Sequence, residues 1–311
     1  MLFGSACMGA LTSTAAAFSG PQVEPASPPF RYSLNTGTLM GCNLPLAQEI
    51  EIAAKAGYQG FEPWLRAVQK HLEEGKSLAD LRKRIGDLGL TVEGAIGFAS
   101  WVVDDDAQRA KGLEQMKHDM DLVAQLGGRR IAAPPAGASG PIDFRKIAER
   151  YRAVLELGRR MGVVPQLEIW GTSKALSRPS EAALVAIEAA HSDACLLLDV
   201  FHMYRSGASF GGLRVINGAC LHVFHMNDYP ADPPREKATD ADRIYPGDGI
   251  APLASILRDL RAAGFRGALS LELFNRTYWK QDPLTVARTG LAKMKAAAEA
   301  SLAVGKPGET K

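Results

Sequence analysis

Four apolar runs in the second half of the chain each reach a side chain that can bind a metal or move a proton. These are Glu168 in QLEIW, Asp199 in LLLDVFHM, His225 in HVFHMND and Glu272 in LSLELF. A carboxylate buried alone in such a run is costly, and a divalent cation shared by all of them removes the cost together. Three carboxylates and one imidazole form a donor set suited to a single Mn²⁺, Zn²⁺, Co²⁺ or Mg²⁺, with no thiolate to favour a softer ion. On an octahedral ion such a set leaves positions open for adjacent oxygens of a polyol or hydroxyketone. The alternative is that the carboxylates pair with Arg or Lys.

Bringing these groups together requires elements that end at one place. From Arg31 onward short apolar runs alternate with helical patterns: RYSLNTGTL, YQGFEPWL, TVEGAIGF, RRIAAPP, VVPQLEIW, ACLLLDVFH, ACLHVFHMND and GALSLELF read as strands. Helices such as LAQEIEIAAKAG and SLADLRKRIGDLG lie between them, stopped by Gly57 and Gly89. Apolar strands alternating with helices predict a parallel sheet covered by helices. Eight such units in about 280 residues predict a single-domain (β/α)8 barrel, a TIM barrel, whose active site lies at the C-terminal ends of the strands. A doubly wound open sheet is the alternative, and no G-x-G-x-x-G follows the first strand to support it.

The chain has 311 residues and a net charge of +2. It carries no global field for nucleic acid or a membrane surface. Cys7, Cys42, Cys195 and Cys220 form no C-x-x-C pair, and Cys195 and Cys220 read as buried free thiols. The first residues, MLFGSACMGALTSTAAAFSG, are apolar, small and uncharged, and PQVEPASPP follows as a Pro-rich linker. This resembles an export signal without its positive n-region, so an exported location is expected over a cytoplasmic one. Residues 1–30 are assigned to signal and linker, and 31–311 to the barrel. No run suits a membrane span, and self-association is left open.

The pieces LEIWG, LDVFHM, FHMND, DADRIYPGDG, AAGFRGALSLELFNRTYW and DPLTVA stand in one order over most of the last 150 residues. In that order they resemble the xylose-isomerase-like sugar isomerase/epimerase superfamily, and most of all its 2-keto-myo-inositol (inosose) isomerases. The resemblance implies that Glu168, Asp199, His225 and Glu272 hold one divalent metal. It implies that Glu168 and Glu272 also move the substrate's proton, and that His202 and Arg243 contact substrate oxygens. LNTGTL and GFEPW match more loosely. Glu62 is expected to point into the pocket, as a support for the site or a substrate contact. Trp64, Trp101, Trp170 and Trp279 lie near strand ends. At least two of them, Trp170 included, are expected to line a sugar-binding wall. His222 is expected outside the barrel, and His71, His118 and His191 on the surface. PGDG lacks the spacing and lysine of a phosphate loop and reads as a turn that holds Arg243.

The reaction expected is proton transfer between adjacent carbons of a keto-sugar or keto-cyclitol through an enediolate. Elimination from a 3-keto-glycoside on the same barrel is the alternative within enzymes. A non-enzymatic sugar-binding barrel and an endonuclease IV-type nuclease are the others. The nuclease needs more histidines at the early strand ends and a basic face, and this chain has neither.

Overall fold

In the computed structural model, which describes Met1 and residues 30–303, each apolar run forms a short strand and each amphipathic run a helix. In chain order these are β1 (Arg31–Asn35), α1 (Leu46–Ala56), β2 (Gly60–Glu62), α2 (Leu65–Glu73), α3 (Leu78–Asp87), β3 (Thr91–Val92), α4 (Asp106–Gln125), β4 (Arg130–Ala133) and α5 (Phe144–Met161). They continue as β5 (Val164–Glu168), α6 (Pro179–Ala189), β6 (Leu196–Asp199), α7 (Val200–Arg205), β7 (Leu221–Met226), α8 (Leu253–Ala262), β8 (Ala268–Leu271) and α9 (Pro283–Leu302). All ladders are parallel, in the order β3-β2-β1-β8-β7-β6-β5-β4. At the seam between β3 and β4, the Ala132 N–H donates to the Ala95 carbonyl at 2.8 Å. The sheet is thereby a closed TIM barrel, as the alternation of elements predicts.

Two apolar layers result. A large cluster fills the space between sheet and helices. Inside the barrel, Ile96, Ala132, Leu197 and Val223 form a separate small cluster with Trp64 packed on it. Strand side chains alternate with period two, so Asp199 and His225 stand one layer above Leu197 and Val223. The small cluster is the dry floor of the site.

The elements depart from the sequence reading in several places. RYSLNTGTL is strand only to Asn35. The Asn35 side chain then accepts from the Gly37 N–H at 2.9 Å and starts a 3₁₀ turn, Thr36–Cys42. In LLLDVFH the strand stops at Asp199, whose Oδ1 accepts from the His202 N–H at 2.7 Å and caps α7. The aspartate is thus a helix cap, and His202 stands on the helix it starts. Helix α2 was not read from the sequence. TVEGAIGF pairs as a strand over Thr91–Val92 only. Its Gly94 is required, because a Cβ there would lie 2.5 Å from Glu62 Oε1. Phe30 is buried and packs on Phe265. His71 is also buried, a correction to its expected place on the surface: it faces inward from α2. Cys195 and Cys220 are free thiols. No helix among the described residues is long and apolar enough to cross a membrane. The expected signal and linker fall almost wholly outside the described residues.

Candidate metal and proton-transfer site

The ends of β5 to β8 place the charged groups on one rim. One ligand atom each from Asp199, His225 and Glu272 lies within 4.8 Å of the others, and all three residues are buried. Glu168 stands outside that triad. Its Oε1 accepts from Trp170 Nε1 at 3.3 Å, and its buried Oε2 has no hydrogen-bond partner. So three of the four expected ligands come together, and the fourth is a carboxylate beside them with one oxygen free.

The imidazole of His225 lies among three carboxylates. Nε2 is 3.1 Å from Glu62 Oε2. Nδ1 approaches Glu272 Oε2 at 3.3 Å and Asp199 Oδ2 at 3.9 Å, without the alignment of a hydrogen bond. Glu62 is fully buried and its Oε2 stands against the His225 imidazole. A carboxylate on the far nitrogen fixes the tautomer and basicity of a ligating histidine.

Two amides orient the carboxylates. Asn227 Nδ2 donates to Asp199 Oδ2 at 2.9 Å, and Asn35 Nδ2 donates to Glu272 Oε1 at 2.8 Å. Asn35 Oδ1 accepts from Trp64 Nε1 at 2.9 Å, which sets its amide the right way round. Arg243, 1% exposed, donates through Nη1 to Asp199 Oδ2 at 2.7 Å and Glu272 Oε2 at 2.9 Å. Its Nη2 donates to His202 Nε2 at 3.2 Å, and a guanidinium has no acceptor, so Nε2 must accept.

These contacts separate the proton affinities. Burial pushes the Glu168 carboxyl up to about 8, helped by the nearby charge of Glu272. Burial also opposes ionisation of Asp199, but Arg243, then His202 and His225, hold it at about 2. His225 lies well above the ordinary histidine range: burial works against that, and Glu272 and Glu62 outweigh it. Neighbouring carboxylates driven apart in this way can take different roles in proton transfer.

The residues present fit a divalent cation. The donors are carboxylate oxygens and one imidazole nitrogen, and His225 Nδ1 and Glu168 Oε2 are buried there without partners. Asp228 does not belong to the set. Its carboxylate accepts from the N–H groups of Tyr229, Gly247, Gly249 and Ala251 at 2.8 to 3.1 Å, and so ties down the PGDG loop. Those amides are spent on Asp228, which disposes of a phosphate loop.

Opposite the charges stand aromatic rings. Phe98 lies 5.0 Å from Trp64 and 6.0 Å from Trp170, and Phe274 lies 5.7 Å from Trp64, between centroids. Trp64 and Trp170 are therefore at the mouth. Trp101 is buried, bonded to the Pro134 carbonyl, and Trp279 is bonded to that of Thr38. Asn35, Asn227, Asp240, Phe98 and Phe274 escaped the sequence reading. Only Asn35 and Asn227 carried a signal, as polar residues at strand ends.

The description "xylose isomerase-like TIM barrel" names a family that matches residues 50–297. The chain belongs to this family. An inosose isomerase of Bacillus velezensis is 28% identical over 245 residues, covering 76% of this chain and 86% of that one. A 3-dehydroshikimate dehydratase of Pseudomonas aeruginosa is 28% identical over 257 residues, 78% of this chain but 38% of that protein. Among solved structures, an IOLI protein with a bound zinc atom superposes with a TM-score of 0.81 at 22% identity, covering 88% of this chain and all of that one. The last comparison supports the fold.

Proposed function

We propose that the protein is a metal-dependent isomerase or epimerase that moves a proton between adjacent carbons of an uncharged keto-cyclitol or keto-sugar. The observation that carries this is Glu168: a buried carboxyl pushed up to about 8, with a free Oε2, beside the Asp199–His225–Glu272 triad. A group with such an affinity both takes and returns a proton near neutral pH. The likeness to an inosose isomerase agrees.

Asp199, His225 and Glu272 would hold the metal, with Glu168 completing the set. A bound divalent cation would stabilise the negative charge that develops on the carbonyl oxygen. Glu168 Oε2 exchanges the proton on one side of the reacting carbons. Glu272, oriented by Asn35 and Arg243, faces the other. His202 steadies a substrate hydroxyl. Arg243 orients the carboxylates and His202, since its N–H groups are directed to them and to Asp240. Trp170 and the other rim aromatics pack on the C–H face of the substrate.

Charge supports an uncharged substrate. Glu62, Glu168, Asp199, Asp240 and Glu272 surround the site, and its one buried guanidinium is already paired. A carboxylate substrate, such as the dehydratase relative's name implies, would find that guanidinium already committed to Asp199, Asp240 and Glu272. Elimination from a 3-keto-glycoside is the second reading, favoured by Phe98, which is 45% exposed and extends the ring wall outward to where an aglycone would lie.

The test is metal content of wild type beside Asp199→Ala, then a screen of inososes, ketohexoses, 3-keto-glycosides and 3-dehydroshikimate with Mn²⁺, Co²⁺ or Zn²⁺. About one ion per chain is expected, lost in the variant. Turnover of a neutral ketone should fall about 10²- to 10⁴-fold in Glu168→Gln. Full activity without metal, or preferred turnover of 3-dehydroshikimate, would overturn the proposal.

A further inference from the structure

Arg243 is fixed by more bonds than its contact with the carboxylates needs. Besides the Nη1 bonds to Asp199 and Glu272, its Nε donates to Asp240 Oδ1 at 3.0 Å and its Nη2 to the same oxygen at 2.8 Å. With the Nη2 bond to His202, all five N–H donors of the guanidinium are used. The rings of Phe201 and Phe274 lie 4.9 and 5.2 Å from its central carbon. Its backbone carbonyl accepts from Asn275 Nδ2 at 3.1 Å. Of its acidic partners, Asp199 and Glu272 belong to the metal triad. Asp240 does not, and its side chain is 57% exposed.

Asp240 also sits on a prepared support. It opens a 3₁₀ turn, Asp240–Asp242, in which Thr239 and Asp242 cap one another. The three-residue spacing within DADR brings its Oδ1 onto the Nε edge of Arg243. Two bonds to one oxygen set the rotation of a planar group in a way that one bond cannot. With that edge fixed, Nη1 falls between Asp199 and Glu272, and Nη2 falls on His202.

We propose that Asp240 is a positioning residue for the reaction. It reaches in from the solvent edge and locks the Arg243 guanidinium in the rotation that aligns Asp199, Glu272 and His202. The inference rests on the proposed proton transfer for its kinetic consequence only; the positioning itself is measurable without a substrate. Asp240 is exposed but Arg243 is 1% exposed, so losing the pair leaves two guanidinium N–H bonds unmade and costs stability as well as alignment.

The test compares Asp240→Ala and Asp240→Asn in the full-length, metal-loaded protein. The Asn side chain keeps an oxygen that can accept both N–H groups; the Ala side chain does not. The first readout is the Nε–H resonance of Arg243 in a ¹⁵N spectrum, assigned by its loss in Arg243→Lys. A slowly exchanging signal is expected in wild type and Asp240→Asn, and none in Asp240→Ala. The second is steady-state kinetics on whichever neutral ketone the wild type turns over. The Ala variant should lose about 10- to 100-fold in kcat with KM within about threefold, and the Asn variant should recover most of it. Kinetics are read well below both melting transitions, so that any loss of stability in the Ala variant is kept apart from its loss of kcat.

A protected Nε–H in Asp240→Ala would show that Asp240 does not hold the arginine, and would overturn the proposal. Loss of the resonance with unchanged kcat would show that the rotation is irrelevant to the reaction, and would overturn it too. So would an Asn variant as impaired as Ala. If no ketone is turned over by wild type, the reaction reading fails while the resonance still decides the positioning.

Discussion

The mouth of the barrel has two sides, and they are built differently. Around the charged rim most groups are bonded to one another: Glu62 to His225, Asn227 to Asp199, Asn35 to Glu272, and Arg243 to two of the triad, while Glu168 keeps one oxygen free. Beside it Phe98, 45% exposed, packs between Trp64 and Trp170, and only the two indole N–H groups reach the charged rim, at Asn35 and Glu168. The charged side is a network in which each position depends on its neighbours. The aromatic side is a chain of separate contacts. Low dielectric makes a satisfied polar network strong and a broken one costly, whereas ring contacts contribute singly. Substitutions on the first side should therefore stop chemistry. Those on the second should retune binding.

Three experiments would break or sharpen this contrast. The largest effect is expected at Glu62, which makes no direct contact with the proposed metal. Glu62→Gln should weaken Mn²⁺ binding about 10- to 100-fold, because His225 loses the carboxylate that orients it. Calorimetric titration with Mn²⁺ reads this directly, and an unchanged affinity would remove Glu62 from the network. On the aromatic side, Phe98→Ala should raise KM about three- to tenfold and leave kcat within about twofold. A collapse of kcat there would mean that the two sides are one unit.

A third experiment concerns a carboxylate outside both sides, where the effect is on stability and not on the reaction. Glu49 on α1 is buried, its Oε2 has no partner, and burial pushes it up to about 8 against the opposing charge of Arg66. Between pH 4.5 and about 8 the folded protein keeps a proton that the unfolded chain releases. Stability therefore falls as pH rises through that window. Glu49→Gln should be more stable than wild type at pH 8 by about 1–3 kcal/mol, with the gap closing toward pH 5. Thermal melts at the two pH values check it. Equal gaps at both would mean that Glu49 has a partner in solution, like the rim carboxylates.

Much of the site was legible because burial makes charge conspicuous. Glu168, Asp199, His225 and Glu272 stand out as ionisable groups in apolar runs, and period-two alternation aims Asp199 and His225 inward. Helix ends were legible for a similar local reason: α1 stops where Gly57 takes a positive φ of 99°, a conformation glycine adopts without strain. Elements whose signal is weak or whose pattern conflicts were not. Helix α2 starts after Trp64 with no side-chain cap to mark it, and β3 stops short of Gly94, where a Cβ would crowd Glu62.

By itself the sequence determined the eight strand–helix units, the parallel sheet, and the candidate groups at its rim. These follow from local periodicity and from the cost of burying charge, which neighbouring residues reveal. Only the tertiary structure decided which groups meet. It put Glu62 behind His225, |i−j| = 163, and Asn35 beneath Glu272, |i−j| = 237. It gathered three of the four rim groups within 4.8 Å and left Glu168 with an oxygen free. It also bonded the Arg243 guanidinium to Asp199, Glu272, Asp240 and His202. Such contacts arise because closing a barrel brings distant strand ends to one rim, and a hydrogen bond across that distance leaves no periodic trace in the chain.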